Sequence, residues 1–438
     1  MSNARNLSKF KPSSSGLVET ADIADDAITN AKVADDAIDT AQIADNAVAN
    51  AQMADNAVGT SEIADDAVTG AKVENNPTIA GNLSVSGGFV PSSAYQNRNM
   101  IINGDMSVAQ RATSDTGVSS SGYKVCDRWS YIHSGDGTVD LSQSTTTPNE
   151  FKNSLKIECN AADSSLGASD VSGLRHYIEA QNCQRLAYGT SSAKSITLSF
   201  HVRSKQTGTY AVNIFQDDDT RHFTKTYTIS SADTFEKKTI TFVGDTTGVI
   251  EDDTGKGIEI TWWLRAGSTF TGGSAMSGYE AFSNGDYAVG HAVDFLDNAA
   301  NEFYITGVQL EIGDVATPFE YENFQENLLK CQRYFYKLGR FQASGYQSGT
   351  TSAIVSYFTP VRMRVNPSIV TTSSTTSIST QGEAHVNRTL TGHLLERRGT
   401  GNAIEHTHQV SGGFGGSDNR PIDLFNFFGD YKIDAELS

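Results

Sequence analysis

The chain has 438 residues, 38% of them hydrophobic and 19% charged, and its 51 acidic against 33 basic residues give a formal net charge of -18. That length allows two or three domains with at least one real core, and the acidic excess argues against a nucleic-acid phosphate or an anionic membrane as the main partner, because both reward a basic surface. The opening "MSNARNLSKFKPSSSG" lacks the apolar core of a secretory signal, and no run reaches the roughly 18 to 20 apolar residues of a membrane span, so a soluble protein completed in a cytoplasm, without membrane insertion, is expected.

Residues 1–20 precede a repeat. From 24 to 58 the chain reads "ADDAITNAKVADDAIDTAQIADNAVANAQMADNAV", and its bulky apolar residues, Ile23, Ile28, Val33, Ile38, Ile43, Val48, Met53, Val58, Ile63, Val68 and Val73, keep a spacing of five. On an α-helix five residues advance the face by roughly 140°, so no stripe forms. On a strand an odd spacing alternates between the two faces. The pairs Asp25-Asp26, Asp35-Asp36, Asp45-Asn46, Asp55-Asn56 and Asp65-Asp66 supply turns instead, which yields a spiral of short extended pieces. One copy buries too little to offset an ordering entropy of roughly 1 to 2 kcal/mol per residue, so residues 21–76 read as a slender shaft in which several identical chains wind about one axis. The alternatives are an Ala-rich helical linker or a disordered acidic tether. Clustered acidic pairs could hold Ca²⁺, but without a Gly-containing loop or a regularly spaced bidentate Glu they read better as solvated turns.

Residues 77–96, with "GNLSVSGGFVPSS", read as linker, and 97–322 as a jelly-roll-like antiparallel β-sandwich. Ile196, Leu198, Phe200 and Val202 alternate with Thr197, Ser199, His201 and Arg203, and Ile258, Ile260, Trp262 and Leu264 alternate with Glu259, Thr261, Trp263 and Arg265. Each such strand buries one face. "QDDDT" and "EDDTGKG" fit connecting loops. Cys126, Cys159, Cys183 and Cys331 lie far apart without metal-ligand spacing and read as buried reduced thiols. In "FEYENFQENLLKCQRYFYKL", Phe324, Leu328, Cys331 and Phe335 recur at helical spacing, so 323–338 is expected to be a connecting amphipathic helix of about four turns. Residues 339–438 return to β character: Val361, Met363 and Val365 alternate with Arg362 and Arg364, and Tyr431, Ile433, Ala435 and Leu437 share one side of a final strand. The fold class is therefore mainly β, with a repetitive shaft, a central sandwich, a short helix and a small C-terminal β-domain.

"NRNMIINGDMSVAQRATS" followed by "GYKVCDRW", and "VQLEIGDVATPFEYENFQENLLKCQRYFYK", resemble a family of tailed-phage virion proteins, chiefly tail-fibre and receptor-binding proteins. "FTPVRMRVNPS", the closing "DAEL" and the "IADDAITNAKV" decads resemble other parts of such fibres. The resemblance implies a homotrimeric fibre in the virion, assembled in the host cytoplasm and joined to other tail or neck proteins through its N-terminus. It implies a carbohydrate-binding-module-like jelly roll, then a distal domain at 339–438 that meets a host surface glycan or outer-membrane protein. It fixes no binding residue and leaves tail, neck and head attachment open.

Hydrolysis of a polysaccharide needs two carboxylates about 5 to 10 Å apart. Asp217, Asp218, Asp219, Glu251, Asp252 and Asp253 sit in runs that look like solvated loops, and no Ser or Cys nucleophile has a local signature, so a non-enzymatic protein is expected. In "EHTHQ", His406 and His408 stand at i and i+2; if extended and gathered on a three-fold axis, six imidazoles suit an octahedral transition metal such as iron. Two loop histidines in a polar turn are the plainer reading, and no other cofactor is expected. Alternation sends Trp262 inward and Trp263 to the polar face, where an exposed ring would stack on a pyranose or pack against a neighbouring subunit. Trp129 reads as core, with Asp127 and Arg128 as a local ion pair. "GYQSG" and "SGGFGGSDN" present Tyr346 and Phe414 among glycines, as binding loops do, although ordinary glycine-rich turns read the same way.

Overall fold

A computed structural model of the chain describes residues 97–338, 343–371, 375–380, 386–394, 403–410, 421–427 and 431–437. The expected attachment segment 1–20, the shaft 21–76 and the linker 77–96 lie outside the described residues.

The central strands, in chain order, are β1 (Ser114–Val118), β2 (Gly122–Tyr123), β3 (Trp129–Ser134), β4 (Thr138–Ser144), β5 (Ser154–Ala161), β6 (Val171–Glu179), β7 (Ile196–Ser204), β8 (Gly208–Gln216), β9 (Arg221–Ile229), β10 (Glu236–Phe242), β11 (Lys256–Ala266), β12 (Glu280–Ala281) and β13 (Glu302–Ile312). They form a six-stranded sheet, β1-β4-β5-β13-β7-β10, facing a seven-stranded sheet, β12-β9-β8-β11-β6-β3-β2. Adjacent strands are antiparallel, as the alternating sequences require. Ile196, Leu198, Phe200 and Val202 of the first sheet and Ile258, Ile260, Trp262 and Leu264 of the second are all fully buried in one core. Trp262 fixes its centre, with ring centroids 5.3 Å from Trp129 and 6.0 Å from Phe200.

The outer faces depart from simple alternation. Glu259, Thr261, Trp263 and Arg265 are buried as well, because residues 267–295, including the single turn α1 (Ser268–Thr271), fold back over that side of β11. Arg265 is charge-paired there with Asp163 at 2.8 Å and with Asp170 and Asp294 each at 3.4 Å. "QDDDT" does form the connection between β8 and β9 and "EDDTGKG" the one leading into β11, and the four cysteines are free and buried.

The helix α2 (Phe324–Gln332) is shorter than the sequence suggests. Asn323 caps it by accepting from the Gln325 N–H at 2.9 Å. Its buried residues are Asn327, Cys331 and Gln332, while Phe324 is 51% exposed. Asn327 takes the inward place because its side chain bonds Asp105, Ser107 and the Asn103 N–H. Phe335, expected on the helix, begins β14 (Phe335–Leu338).

The remaining strands are β15 (Ala343–Gln347), β16 (Ser352–Phe358), β17 (Ser368–Thr371), β18 (Thr375–Thr380), β19 (Val386–Leu394), β20 (Ala403–Val410), β21 (Pro421–Phe427) and β22 (Tyr431–Asp434). Six close into a barrel, β15-β16-β20-β19-β18-β21, and three form a small sheet, β14-β22-β17. Ile433, Ala435 and Leu437 are buried, but the last strand ends at Asp434, so Ala435 and Leu437 follow it rather than belong to it. The stretch 361–365 is irregular rather than a strand, because Arg364 is turned inward to donate to the carbonyls of Thr254, Ala435 and Glu436 at 2.7–2.9 Å. Asp127 and Arg128 do not pair with each other. Arg128 meets Glu436 and the Tyr177 carbonyl, whereas Asp127 accepts from Gln110 and faces Arg111 at 3.9 Å.

Candidate functional site

The outer face of the first sheet carries a cleft of about 520 Å³. Register builds its floor: Lys237 of β10 stands opposite His201 of β7, which stands opposite Thr306 of β13. Between Thr306 and Gln309 the β13–β7 ladder shifts register, and the bulge contains Gly307 at φ +60°. A Cβ on Gly307 would lie 2.4 Å from Phe151 Cζ and 3.0 Å from His201 Nδ1, so a side chain here would fill the space that these rings occupy.

The wall is aromatic. Phe151, Phe319 and Tyr321 form a triangle with centroid separations of 5.1, 5.0 and 5.7 Å, and Phe151 lies 5.3 Å from His201. Edge and tilted packing of this kind holds the rings to one another. The segment that carries Phe319 and Tyr321 is tied down: Glu311 accepts from the Thr317 N–H and hydroxyl at 2.8 and 2.7 Å, and Gln309 accepts from the Glu320 N–H at 2.8 Å. The Tyr321 hydroxyl donates to the Glu150 carbonyl at 2.8 Å, yet the residue stays 59% exposed. An anchored, open ring is the arrangement that a stacking platform requires.

Burial, reinforced by the neighbouring Lys237 ammonium, lowers the pKa of His201, against a smaller opposite pull from Glu150. Burial raises that of the Tyr321 phenol, with Glu150 adding to it. Ser199, Lys237 and Glu150 complete the polar lining, and Glu150 is the one carboxylate among the described lining residues. The cleft thus pairs apolar stacking surface with a few convergent donors and acceptors, the usual make-up of a small-molecule site.

A second cavity of about 600 Å³ contains Arg185, Lys330 and Arg333. Their charges are already committed: Arg333 to Glu179 at 2.6 Å, Lys330 to Glu322, and Arg185 to the carbonyls of Asn97 and Arg98. The two acidic loops do come together, which the sequence could not show. Asp218 accepts from the Glu251 N–H at 2.9 Å and Asp219 from the Val249 N–H at 2.6 Å, so these carboxylates tie one loop to the other. Among the described residues no group of three His, Cys, Asp or Glu side chains converges as a metal site.

The residues singled out from sequence fall elsewhere. Trp263 is fully buried, not an exposed platform: its Nε1 donates to the Tyr287 carbonyl at 3.0 Å and its ring lies 4.9 Å from Tyr287 under the 267–295 roof. Trp129 is core, as expected. Tyr346 is 38% exposed on β15, opposite Ile354 and Pro421. His406 and His408 lie on the extended strand β20, opposite Val355 and Ala353, with His408 also opposite His393 of β19. Phe414 lies outside the described residues. Sequence reading passed over Phe319 and Tyr321, although "TPFEY" directly after the β13 pattern offers two aromatics at i and i+2 behind a proline.

No family model and no curated protein matches the chain. Solved structures similar to it include the enzymatically active domain of bacteriophage CBA120 tailspike protein 4, at 10% identity and TM-score 0.26, covering 49% of this chain and 21% of that one. The family 11 carbohydrate-binding module from Clostridium thermocellum in complex with a β-1,3-1,4-mixed-linked tetrasaccharide is similar at 11% identity and TM-score 0.25, covering 47% of this chain and 98% of the module. TmCBM61 in complex with β-1,4-galactotriose is similar at 10% identity and TM-score 0.26, covering 50% of this chain and all of the module. The chain spans about a fifth of the tailspike domain's length. Likenesses at scores this low identify neither a family nor a ligand.

Proposed function

We propose that this chain is a non-enzymatic adhesive protein of a phage virion, a tail fibre that binds host-surface glycan, with the aromatic cleft of its sandwich as one glycan site. The observation that carries the glycan part is Tyr321, an exposed ring anchored through its hydroxyl beside Phe319, above a floor of His201 and Lys237. The fibre part is supported by the resemblance of "NRNMIINGDMSVAQRATS" and "VQLEIGDVATPFEYENFQENLLKCQRYFYK" to tail-fibre sequences and by the decad repeat. The non-enzymatic part follows the sequence, where the acidic runs read as solvated loops, and release of reducing sugar is the measurement that tests it. The segment 339–438 is a second host-contact candidate through Tyr346, and His406 with His408 is a metal candidate on a three-fold axis, which metal analysis of the purified protein decides.

Weak sites repeated over several chains and fibres gain avidity through effective concentration, so each cleft need bind only poorly. Light scattering on the full chain is expected to give about three times 47.0 kDa, and removal of residues 1–80 to lower the number of chains per particle. A monodisperse full-length monomer would sink the fibre reading. Labelled protein is expected to stain susceptible cells without releasing reducing sugar from their envelopes. Sugar release would turn the reading to a depolymerase, and absence of staining to a purely mechanical head or neck fibre.

A further inference from the structure

The imidazole of His201 is asymmetric. Its Nδ1 is closed off from solvent with no hydrogen-bond partner, pressed toward the Cα of Gly307 and next to Phe151, while the ring itself lines the cleft. A neutral imidazole carries one N–H, and a buried orphan donor is rarer and costlier than a buried orphan acceptor. The lone pair therefore belongs on Nδ1 and the hydrogen on Nε2, the nitrogen left open to the cleft. Lys237, the cross-strand neighbour, is exposed and forms no ion pair among the described residues, and Glu150 supplies an acceptor at the rim.

Resting on the glycan reading above, we propose that His201 is a specificity-determining residue that selects an uncharged pyranose: its fixed Nε2–H donates to a ring or hydroxyl oxygen of a sugar stacked on Tyr321. Lys237 donates to a second oxygen and Glu150 accepts from a hydroxyl, so ammonium and carboxylate balance each other around a neutral ligand. A uronate would gain Lys237 but meet Glu150 as a like charge, and an amino sugar would gain Glu150 but meet Lys237 as one, so the pair favours neither charge on balance. The depressed pKa of His201, from burial first and Lys237 second, agrees with a ring that stays neutral beside its ammonium neighbour.

The test is calorimetry of the full chain against neutral hexose oligosaccharides and their uronate-bearing counterparts, using the wild type, His201→Gln, His201→Phe and Tyr321→Ala. The glutamine variant keeps an N–H donor near the place of Nε2, whereas the phenylalanine variant keeps a ring without a donor. The expected result is binding of a neutral oligosaccharide that falls about tenfold or more in H201F, is largely kept in H201Q and falls comparably in Y321A. The ¹⁵N shifts of the His201 ring are expected to show the Nε2–H tautomer and to move on sugar addition. Binding unchanged in H201F but lost in Y321A would overturn this proposal and leave the glycan site standing, as would preference for the uronate. Binding unchanged in Y321A, or no sugar bound by the wild type, would overturn both.

Discussion

Gly307 sits where the cleft and the fold make the same demand. Its φ of +60° lies in the left-handed region, and a methyl group would collide with the Phe151 ring at 2.4 Å. Gly307→Ala is therefore expected to cost about 1 to 3 kcal/mol from backbone strain and displaced packing. The midpoint of urea unfolding checks the loss, and weaker sugar binding at temperatures where the variant is folded checks that the cleft floor has moved. Residue-level legibility was uneven for a physical reason. Trp262 obeys the period of two because the opposing sheet covers one face, while Trp263 breaks it because residues 267–295, distant in sequence only by a loop, cover the other. A strand's own pattern records that its faces differ; it does not record which later segment roofs the polar one.

At the scale of elements, the strand β22 and the residues after it clasp several parts at once. Leu437 packs with Tyr177 and Tyr334, the Tyr123 hydroxyl donates to the Leu437 carbonyl at 2.6 Å, and Glu436 meets Arg128 and Arg111. The side chains of Arg128 and Glu436 are 0% and 4% exposed, so removing the carboxylate leaves a guanidinium without its counter-charge in the interior. Glu436→Ala is expected to lower stability by about 3 kcal/mol or more, and Glu436→Gln by less, read as midpoint shifts in denaturant. The strands β7 and β11 were legible because each is long enough to show its alternation, whereas β22 ends at Asp434, before two of the residues that the alternation placed on it. The helix was half-legible: its start follows the Asn323 cap, but Asn327 occupies the inward face for its hydrogen bonds, which hydrophobic periodicity cannot see. The cleft was not legible, since it needs β7, β10, the β13 bulge and the 316–321 segment together.

For the molecule as a whole, buried histidines contribute a loss of stability in acid, which Asp127, raised by burial to about 6, partly opposes. His291 accepts from the Ala211 N–H at 3.2 Å and is 8% exposed, and burial lowers its pKa from 6.5 to about 4. Because the folded-state pKa is depressed, the neutral ring stabilises the fold fully above the unfolded value of 6.5, and that contribution is lost as pH falls toward about 4. Stability is expected to decline over that window, and His291→Gln to remove part of the slope, as measured by denaturant midpoints at successive pH values. His176, fully buried and shifted the same way by burial and by Arg128, accounts for a further part.

Leu338, at the end of β14, stands directly opposite Tyr431, at the start of β22. Everything between, the barrel included, leaves and rejoins the protein at neighbouring points on one ladder, touching the base again through β17, which pairs with β22, and through Arg364. Another module whose two ends lie one strand apart could take the place of residues 339–430 if it also supplied an edge for β22 and donors in place of Arg364 for the carbonyls of Thr254, Ala435 and Glu436. If the glycan reading holds, this topology allows the part beyond β14 to be exchanged and the cleft-bearing sandwich kept.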